Sequence, residues 1–237
     1  MYRIAFITDI HLDKELPKGC LVNTKENWKK IIEDLKSKKI SRIVLGGDIA
    51  VNKSLDFFFK TLKGFDFDLI LGNHDNYSAI SKFFSPNKYD NELYYYKDEN
   101  YYRFIFLDTS AGKLSTIQLN WLTKTLKTTK EIILFIHHPV IKIQEKIDKL
   151  YPLKNRMEIK NVLKKAKKSI TIFCGHYHMN DERTENNIKQ IITQSTCFQV
   201  EKGQDEIVIT TSNFGYRIIE IDKYNISTTL VNFKEIT

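Results

Sequence analysis

All six histidines of the chain fall within short motifs that also carry carboxylate, amide or glycine residues, or that pair two imidazoles. In chain order the motifs are Asp9-Ile10-His11, Gly47-Asp48, Gly72-Asn73-His74-Asp75, His137-His138-Pro139 and Gly175-His176-Tyr177-His178. Imidazole and carboxylate are the ligand types that a transition-metal site needs. Two Asp, four His and an Asn are too many ligands for one tetrahedral ion. They suit two ions that share a bridging carboxylate, so the sequence predicts a binuclear metal site.

Each motif comes directly after a segment with the composition of a buried strand. The predicted strands are Tyr2–Thr8, Arg42–Gly46, Phe67–Leu71, Glu131–Ile136 and Ile170–Cys174. Open α/β sheets place their ligand sites outside the carboxyl ends of the strands. We therefore expect all five motifs to meet at one edge of a sheet.

Helical spacing separates these strands, and a strand-rich tail follows them. One predicted helix begins after Thr24 as its N-cap, and a second runs from Ser54 to Lys63. Further helices are predicted at Ser78–Phe84, Thr116–Leu126 and Glu158–Lys167. A hairpin is predicted from Leu93–Tyr96 and Tyr102–Leu107, and tail strands at Ile188–Thr193, Ile207–Thr211, Tyr216–Ile221 and Ile226–Phe233. With no linker or repeat, we expect one α/β domain over residues 1–237, in which the tail forms a second sheet packed on the first.

The amino-acid composition limits which classes of binding partner and which cellular location are expected. The formal net charge of +8 comes from lysine clusters without interleaved aromatic residues, so we interpret it as solvated helix faces and expect no nucleic-acid partner. The chain has no apolar run of 18 residues and no signal peptide, so no membrane span is expected. Three cysteines at no metal or disulfide spacing predict free thiols and a cytoplasmic protein.

The ordered set of motifs resembles the calcineurin-like metallophosphoesterase superfamily, whose pattern is D-x-H, G-D, G-N-H-D/E, H and G-H-x-H. Further segments resemble its bacterial class III cyclic-nucleotide phosphodiesterase branch. These are Gln118–Leu122, Ser195–Gln199, Gly215–Ile221 and the residues Asp148, Leu153 and Asn155. The resemblance implies a four-layer αββα sandwich, in which two mixed β-sheets are flanked by helices.

The resemblance also implies roles for the motif residues. Asp9, His11 and His178 would hold the first metal ion. Asn73, His137 and His176 would hold the second, and Asp48 would bridge both. Metal binding lowers the pKa of water from about 15.7 towards 7, so a hydroxide between the ions would attack phosphorus in line with the leaving oxygen. His74 would be the catalytic residue at the phosphate, by charge stabilisation or by protonating the leaving group, with Asn73 and His138 as further substrate contacts.

Several details stay open at this level. Val51 stands where purple acid phosphatases have a metal-bound tyrosine, so the ions are expected to be Mn, Fe or Zn rather than a coloured Fe(III) centre. His138 is placed either behind the metal ligands or against the substrate. Asp75 is expected to fix its loop through hydrogen bonds to the backbone, and Tyr177 is expected at the pocket mouth.

The predicted function is hydrolysis of a small phosphodiester, with a 3′,5′-cyclic nucleotide as a candidate substrate. The alternatives are a phosphomonoesterase, a DNA nuclease of the same superfamily, and, from a different class, a non-catalytic scaffold on this fold. The aromatic runs Phe57–Phe59 and Tyr94–Tyr96 are expected in core packing or in a homodimer contact.

Overall fold

The structure, a computed structural model, describes residues 2–18, 20–86, 91–223 and 225–234. The strands are β1 (Tyr2–Ile7), β2 (Arg42–Leu45), β3 (Asp66–Leu69), β4 (Tyr95–Glu99), β5 (Tyr102–Leu107), β6 (Glu131–Ile136), β7 (Ile170–Cys174), β8 (Asp181–Glu185), β9 (Ile188–Ile192), β10 (Gln199–Val200), β11 (Ile209–Thr210), β12 (Asn213–Ile221) and β13 (Ile226–Lys234). The helices are α1 (Thr24–Ser37), α2 (Leu55–Thr61), α3 (Tyr77–Ile80), α4 (Thr116–Thr125), α5 (Lys146–Leu150) and α6 (Arg156–Lys165).

The first large sheet combines the start of the chain with its end. Its order is β13-β12-β1-β2-β3, with β1, β2 and β3 parallel and β12 and β13 antiparallel. Parallel neighbours need a crossover, which α1 provides between β1 and β2. The carboxyl ends of β1, β2 and β3 therefore lie at the same edge.

The second large sheet has the order β4-β5-β6-β7-β9-β8. Strands β5, β6, β7 and β9 are parallel, and the predicted hairpin of β4 and β5 is confirmed. The expectation that the tail forms a second sheet by itself was wrong. Strand β9 joins the second sheet, whereas β12 and β13 join β1 in the first, and β10 and β11 pair separately. Alternating hydrophobicity predicts a strand but not which sheet accepts it.

Side-chain alternation creates the layers. Phenyl rings point from both sheets into the space between them, where Phe6 lies 5.7 Å from Phe135 and Phe106 lies 5.1 Å from Phe135 between ring centroids. The alternate residues of β5, such as Ile105, pack with Leu122 of α4 in a separate cluster on the outer face. The other sheet is covered by helices whose apolar residues include Trp28. The predicted four-layer αββα sandwich with two mixed sheets is confirmed.

Local details differ from the predicted boundaries. Helix α1 is capped by Asn23, whose side chain accepts from the Glu26 N–H, rather than by Thr24. Strand β8 and helix α5 were not predicted, because Asp181–Glu185 is almost entirely charged and polar and Lys146–Leu150 is only five residues long. Among the described residues, no helix is long and apolar enough to cross a membrane.

The aromatic runs are divided between core and surface. Phe58, Tyr94 and Tyr95 are buried, whereas Phe57 and Tyr96 are exposed. The expectation of core packing is confirmed for the buried members. A homodimer and the single-domain boundaries remain predictions.

Candidate metal centre

The five predicted motifs converge at one end of the sandwich. Each follows the carboxyl end of a strand: β1, β2, β3, β6 and β7. Backbone hydrogen bonds connect the motifs directly. Within the sheets, the Asp9 N–H donates to the Gly47 carbonyl at 3.0 Å, and the Gly175 N–H donates to the His137 carbonyl at 3.1 Å. Between the sheets, the His176 N–H donates to Asp9 Oδ2 at 3.0 Å, so the loops of the two sheets form one connected structure.

The backbone at this end is unusually rich in left-handed residues. Positive φ angles of 48–69° occur at Asp9, His11, Asp48, His176 and His178. Each such non-glycine residue costs about 1–3 kcal/mol and persists where the surrounding structure imposes it. Because all five are predicted metal ligands, the backbone strain coincides with the candidate site.

One group of donor atoms comprises Asp9, His11 and His178, whose ligand atoms lie within 4.8 Å of one another. The His178 Nε2 atom lies 3.3 Å from Asp9 Oδ1 and 3.2 Å from His11 Nε2. All three side chains are buried. This arrangement matches the predicted ligand set of the first ion.

A second group comprises Asp9, Asp48 and His137. Asp48 lies between the two groups, because its Oδ2 atom is 3.6 Å from His11 Nε2 and 3.5 Å from His137 Nε2. Asp9 Oδ1 is 3.9 Å from His137 Nε2. The carboxylate of Asp48 thus faces histidines of both predicted ion sites.

Hydrogen bonds to backbone carbonyls orient three of the imidazoles. His137 Nδ1 donates to the Gly46 carbonyl at 2.8 Å, and His178 Nδ1 donates to the Phe198 carbonyl at 3.1 Å. His176 donates from Nε2 to the Tyr151 carbonyl at 3.1 Å. In each ring the carbonyl accepts from one nitrogen, so the other nitrogen is the one that can bind a metal, in exchange for any proton it carries.

The site is electrostatically incomplete without a cation. Asp9 Oδ1 and His137 Nε2 are buried and have no hydrogen-bond partner among the described residues. Burial alone would raise the pKa of Asp9, yet His178 and His137 hold that pKa well below its usual range. Burial would lower the pKa of His137, but Asp48 and Asp9 raise it to about 9. Buried unpaired atoms of these types fit a divalent metal ion.

Two motif glycines allow the close approach of the carboxylates. A Cβ atom at Gly72 would lie 2.2 Å from Asp48 Oδ1, and one at Gly175 would lie 2.4 Å from Asp9 Oδ2. Asp75 behaves as predicted and accepts backbone N–H groups of Asp48, Ile49 and Gly72 at 2.7–2.8 Å.

The comparisons with known proteins agree with this geometry. Residues 2–193 match the calcineurin-like phosphoesterase family. The chain belongs to that family. The predicted enzyme class, a hydrolase of phosphoesters with groups that could bind metal, is thereby confirmed.

Curated relatives match between 71% and 97% of the phosphoesterase chain. A probable cyclic nucleotide phosphodiesterase of Fibrobacter succinogenes is 29% identical over 92% of this chain and 89% of the relative. The 3′,5′-cyclic adenosine monophosphate phosphodiesterase CpdA of Escherichia coli K12 is 27% identical over 97% and 89%. A probable glycerophosphodiester phosphodiesterase, GpdQ, of Arcobacter nitrofigilis is 32% identical over 71% and 67%.

Solved structures share the phosphoesterase fold. A dimetal phosphatase from Danio rerio superposes with a TM-score of 0.68 at 13% identity, over 98% of both chains. GAP50 of Plasmodium, described as the anchor in the inner membrane complex, gives a TM-score of 0.67 at 18% identity, over 98% of this chain and 88% of that one. At these identities the likeness shows the fold alone.

The remaining predicted site residues lie around the donor groups. His74 is exposed, its N–H donates to Asp48 Oδ1 at 2.8 Å, and its ring centroid is 5.5 Å from that of His11. Asn73 is also exposed in this loop. His138 is buried, with Nδ1 2.8 Å from Thr109 Oγ1 and its ring 4.0 Å from that of His176.

The sequence predicted Tyr177 at the pocket mouth, and this prediction was wrong. Tyr177 is fully buried, and its hydroxyl donates to Asp148, which also accepts from Arg156. Asp148 further accepts the Ile143 N–H at 2.9 Å.

Beside the donor groups is a pocket of about 440 Å³. His11, His74, His178 and Phe198 line one part of it, and Lys14 with Glu15, Leu16 and Pro17 lines the other. The second set was missed because it lies outside the five motifs. The signal available in the sequence was the position of Lys14, three residues after His11.

Proposed function

We propose that this chain is a phosphodiesterase that binds two divalent metal ions and hydrolyses a small phosphodiester, with a 3′,5′-cyclic nucleotide as the leading substrate. The observation that carries the proposal is the pair of buried donor groups that share Asp9 and face Asp48. The curated relatives named as cyclic nucleotide phosphodiesterases support the substrate class.

The proposed ligands include the members of the two donor groups, which are Asp9, His11 and His178, and Asp9, Asp48 and His137. In this proposal Asp9, His11 and His178 would hold one ion, and His137, His176 and Asn73 would hold the other, with Asp48 shared. The ions are Mn, Fe or Zn, since nitrogen and oxygen donors are compatible with all three. When bound, they make a water nucleophilic near neutral pH and polarise the phosphoryl oxygens.

The protein's own residues then orient the substrate. His74 stands on the pocket side of Asp48, where its imidazole contacts the phosphate or the leaving oxygen. Partial loss of hydration in the pocket is the main reason that the pKa of His74 lies below its usual value. A neutral His74 stabilises charge by donating one hydrogen bond, and a protonated His74 transfers its proton to the leaving oxygen. Asn73 adds a neutral donor beside it.

His138 is proposed as a further substrate contact, through the edge of its ring that faces His176. Its bond to Thr109 fixes the ring orientation. The cytoplasm remains the proposed location, because none of the three described cysteines forms a disulfide.

The substrate class is tested with the Mn(II)-loaded full chain and a panel of esters. The panel contains 3′,5′-cyclic AMP, glycerophosphodiesters, bis(p-nitrophenyl) phosphate, p-nitrophenyl phosphate and single-stranded DNA. We expect diesters to be hydrolysed faster than the monoester at pH 7–8, with a cyclic nucleotide among the good substrates. A preference for p-nitrophenyl phosphate or for DNA would overturn the proposal.

The role of His74 is tested by His74→Ala. Loss of a general acid slows turnover by roughly 10²–10⁴-fold while metal content stays unchanged. The loss should be smaller with p-nitrophenolate as leaving group, because it needs no proton. Equal losses on good and poor leaving groups would assign His74 to charge stabilisation instead.

A further inference from the structure

The pocket beside the donor groups contains a cationic side chain from outside the metal motifs. Lys14 lines the pocket together with His11, His74 and His178. Lys14 is only half-buried, so its ammonium group can reach a bound anion.

The loop that carries Lys14 is firmly held. The Lys14 N–H donates to the His11 carbonyl at 3.0 Å, which closes a turn directly after a predicted metal ligand. The preceding residue, Asp13, accepts from Ser54 Oγ at 2.6 Å and pairs with Lys25 Nζ at 2.7 Å. The direction in which Lys14 leaves the backbone is therefore set by the fold.

Lys14 differs from Lys25 in its pairing. Asp13 neutralises Lys25, whereas no carboxylate of the described residues lies within 4.0 Å of the Lys14 ammonium group. Beside the pocket, the Lys14 ammonium group is therefore left without a contacting acid among the described residues, and it can contact a bound anion there.

We infer that Lys14 is a substrate-binding residue that contacts the non-bridging phosphate oxygens and sets the preference between singly and doubly charged phosphoesters. This inference rests on the proposed function, since it places the phosphate between the donor groups and His74. A diester carries one negative charge and a monoester close to two. The attraction to one lysine scales with that charge, so Lys14 favours the monoester more than the diester.

The preference is tested with Lys14→Met and the two p-nitrophenyl esters, which share one leaving group. We expect kcat/KM of the Mn(II)-loaded full chain to fall about 10-fold on the diester and about 100-fold on the monoester. Lys14→Arg should restore most of the loss on both esters. Lys53→Met is the matched control, because Lys53 carries the same charge on a neighbouring exposed turn and does not line the pocket. Equal losses on the two esters, or the same losses in Lys53→Met, would overturn the inference.

Binding of inorganic phosphate separates this inference from the proposed function. Isothermal titration of the Mn(II)-loaded proteins should show about 10-fold weaker phosphate binding by Lys14→Met than by wild type and Lys53→Met. A wild-type protein that hydrolysed neither ester would contradict the proposed function, while weaker phosphate binding by Lys14→Met would still support the role of Lys14. Unchanged phosphate affinity in Lys14→Met would overturn it regardless of activity.

Discussion

Two groups of charged residues lie at opposite edges of the sheets, and they are built differently. At the amino edge, Arg42 pairs with Glu99 and lies 3.6 Å from Asp68, which Lys97 contacts at 2.7 Å. At the carboxyl edge, Asp9 and Asp48 face imidazoles. Among the described residues, no lysine or arginine lies within 4.0 Å of either of these two carboxylates.

The difference shows which cluster needs a partner from outside. A buried carboxylate is expensive unless it is paired. Asp68 is paired with Lys97 and Arg42 within the chain, although Asp68 Oδ2 and Arg42 Nε there also lack a hydrogen-bond partner in the described part of the chain. Asp9 and Asp48 have only imidazoles as basic groups within 4.0 Å, and Asp9 Oδ1, His11 Nδ1 and His137 Nε2 lack a hydrogen-bond partner among the described residues. The carboxyl edge is therefore arranged for exogenous cations.

The largest expected effect follows from Asp48→Ala. Because Asp48 faces histidines of both donor groups, its removal should abolish metal-dependent hydrolysis and lose both metals. Elemental analysis of the purified variant measures this directly, with Asp68→Asn as the buried-carboxylate control that keeps its metal. Two equivalents of metal retained by Asp48→Ala would contradict the bridging role.

The second-largest effect should distinguish His137 from His138. His137→Ala is expected to lose occupancy at one ion and about 100-fold or more in kcat, because His137 Nε2 faces Asp48 and Asp9. His138→Ala should keep both metals, since its Nδ1 atom is engaged with Thr109. Metal analysis of the two variants, purified in parallel, gives the answer, and the reverse pattern would exchange their roles.

Removal of metal by a chelator should destabilise the protein through the carboxyl edge alone. Metal that binds the folded state at about 100 times its Kd adds about 2.7 kcal/mol of stability. For a chain of this size, removing it with EDTA should lower the thermal midpoint by about 5–10 °C. Calorimetry with and without EDTA tests this, and Asp48→Ala should show no shift. An unchanged wild-type midpoint would mean that the carboxyl edge binds no stabilising ion.

The smallest effect is expected at the amino edge. Asp68→Asn leaves Lys97 and Arg42 with a weaker partner, and it should lower the free energy of unfolding by about 1–2 kcal/mol, because Lys97 is partly exposed. Activity and metal content should stay at wild-type values. Urea unfolding followed by circular dichroism measures the change. A loss of activity in this variant would show that the two edges are coupled.

Much of the donor cluster could be predicted from the sequence, because each motif is a short local segment. Each strand delivers its motif at its own carboxyl end, as at β1 with Asp9 and His11. Parallel strands bring those ends to one edge within each sheet, whereas the packing of the two sheets brings the two edges together. Asp75 was also predictable, because side-chain to backbone bonds within a loop depend on nearby residues.

Other features were decided by contacts between residues distant in the chain. The tail was predicted as strands, yet β12 pairs with β1 and β9 pairs with β7, because each edge accepts the strand whose apolar face continues its own layer. Tyr177 is buried where its hydroxyl donates to Asp148 and accepts from Arg156.

The sequence by itself determined the ligand types, their order and the edge at which they gather. The tertiary structure alone decided the spacing that sets Asp48 3.6 Å from His11 and 3.5 Å from His137, and the turn that carries Lys14 into the pocket. The physical reason is that strand ends are fixed by local patterning, whereas distances across a site depend on how two sheets and their loops pack against each other.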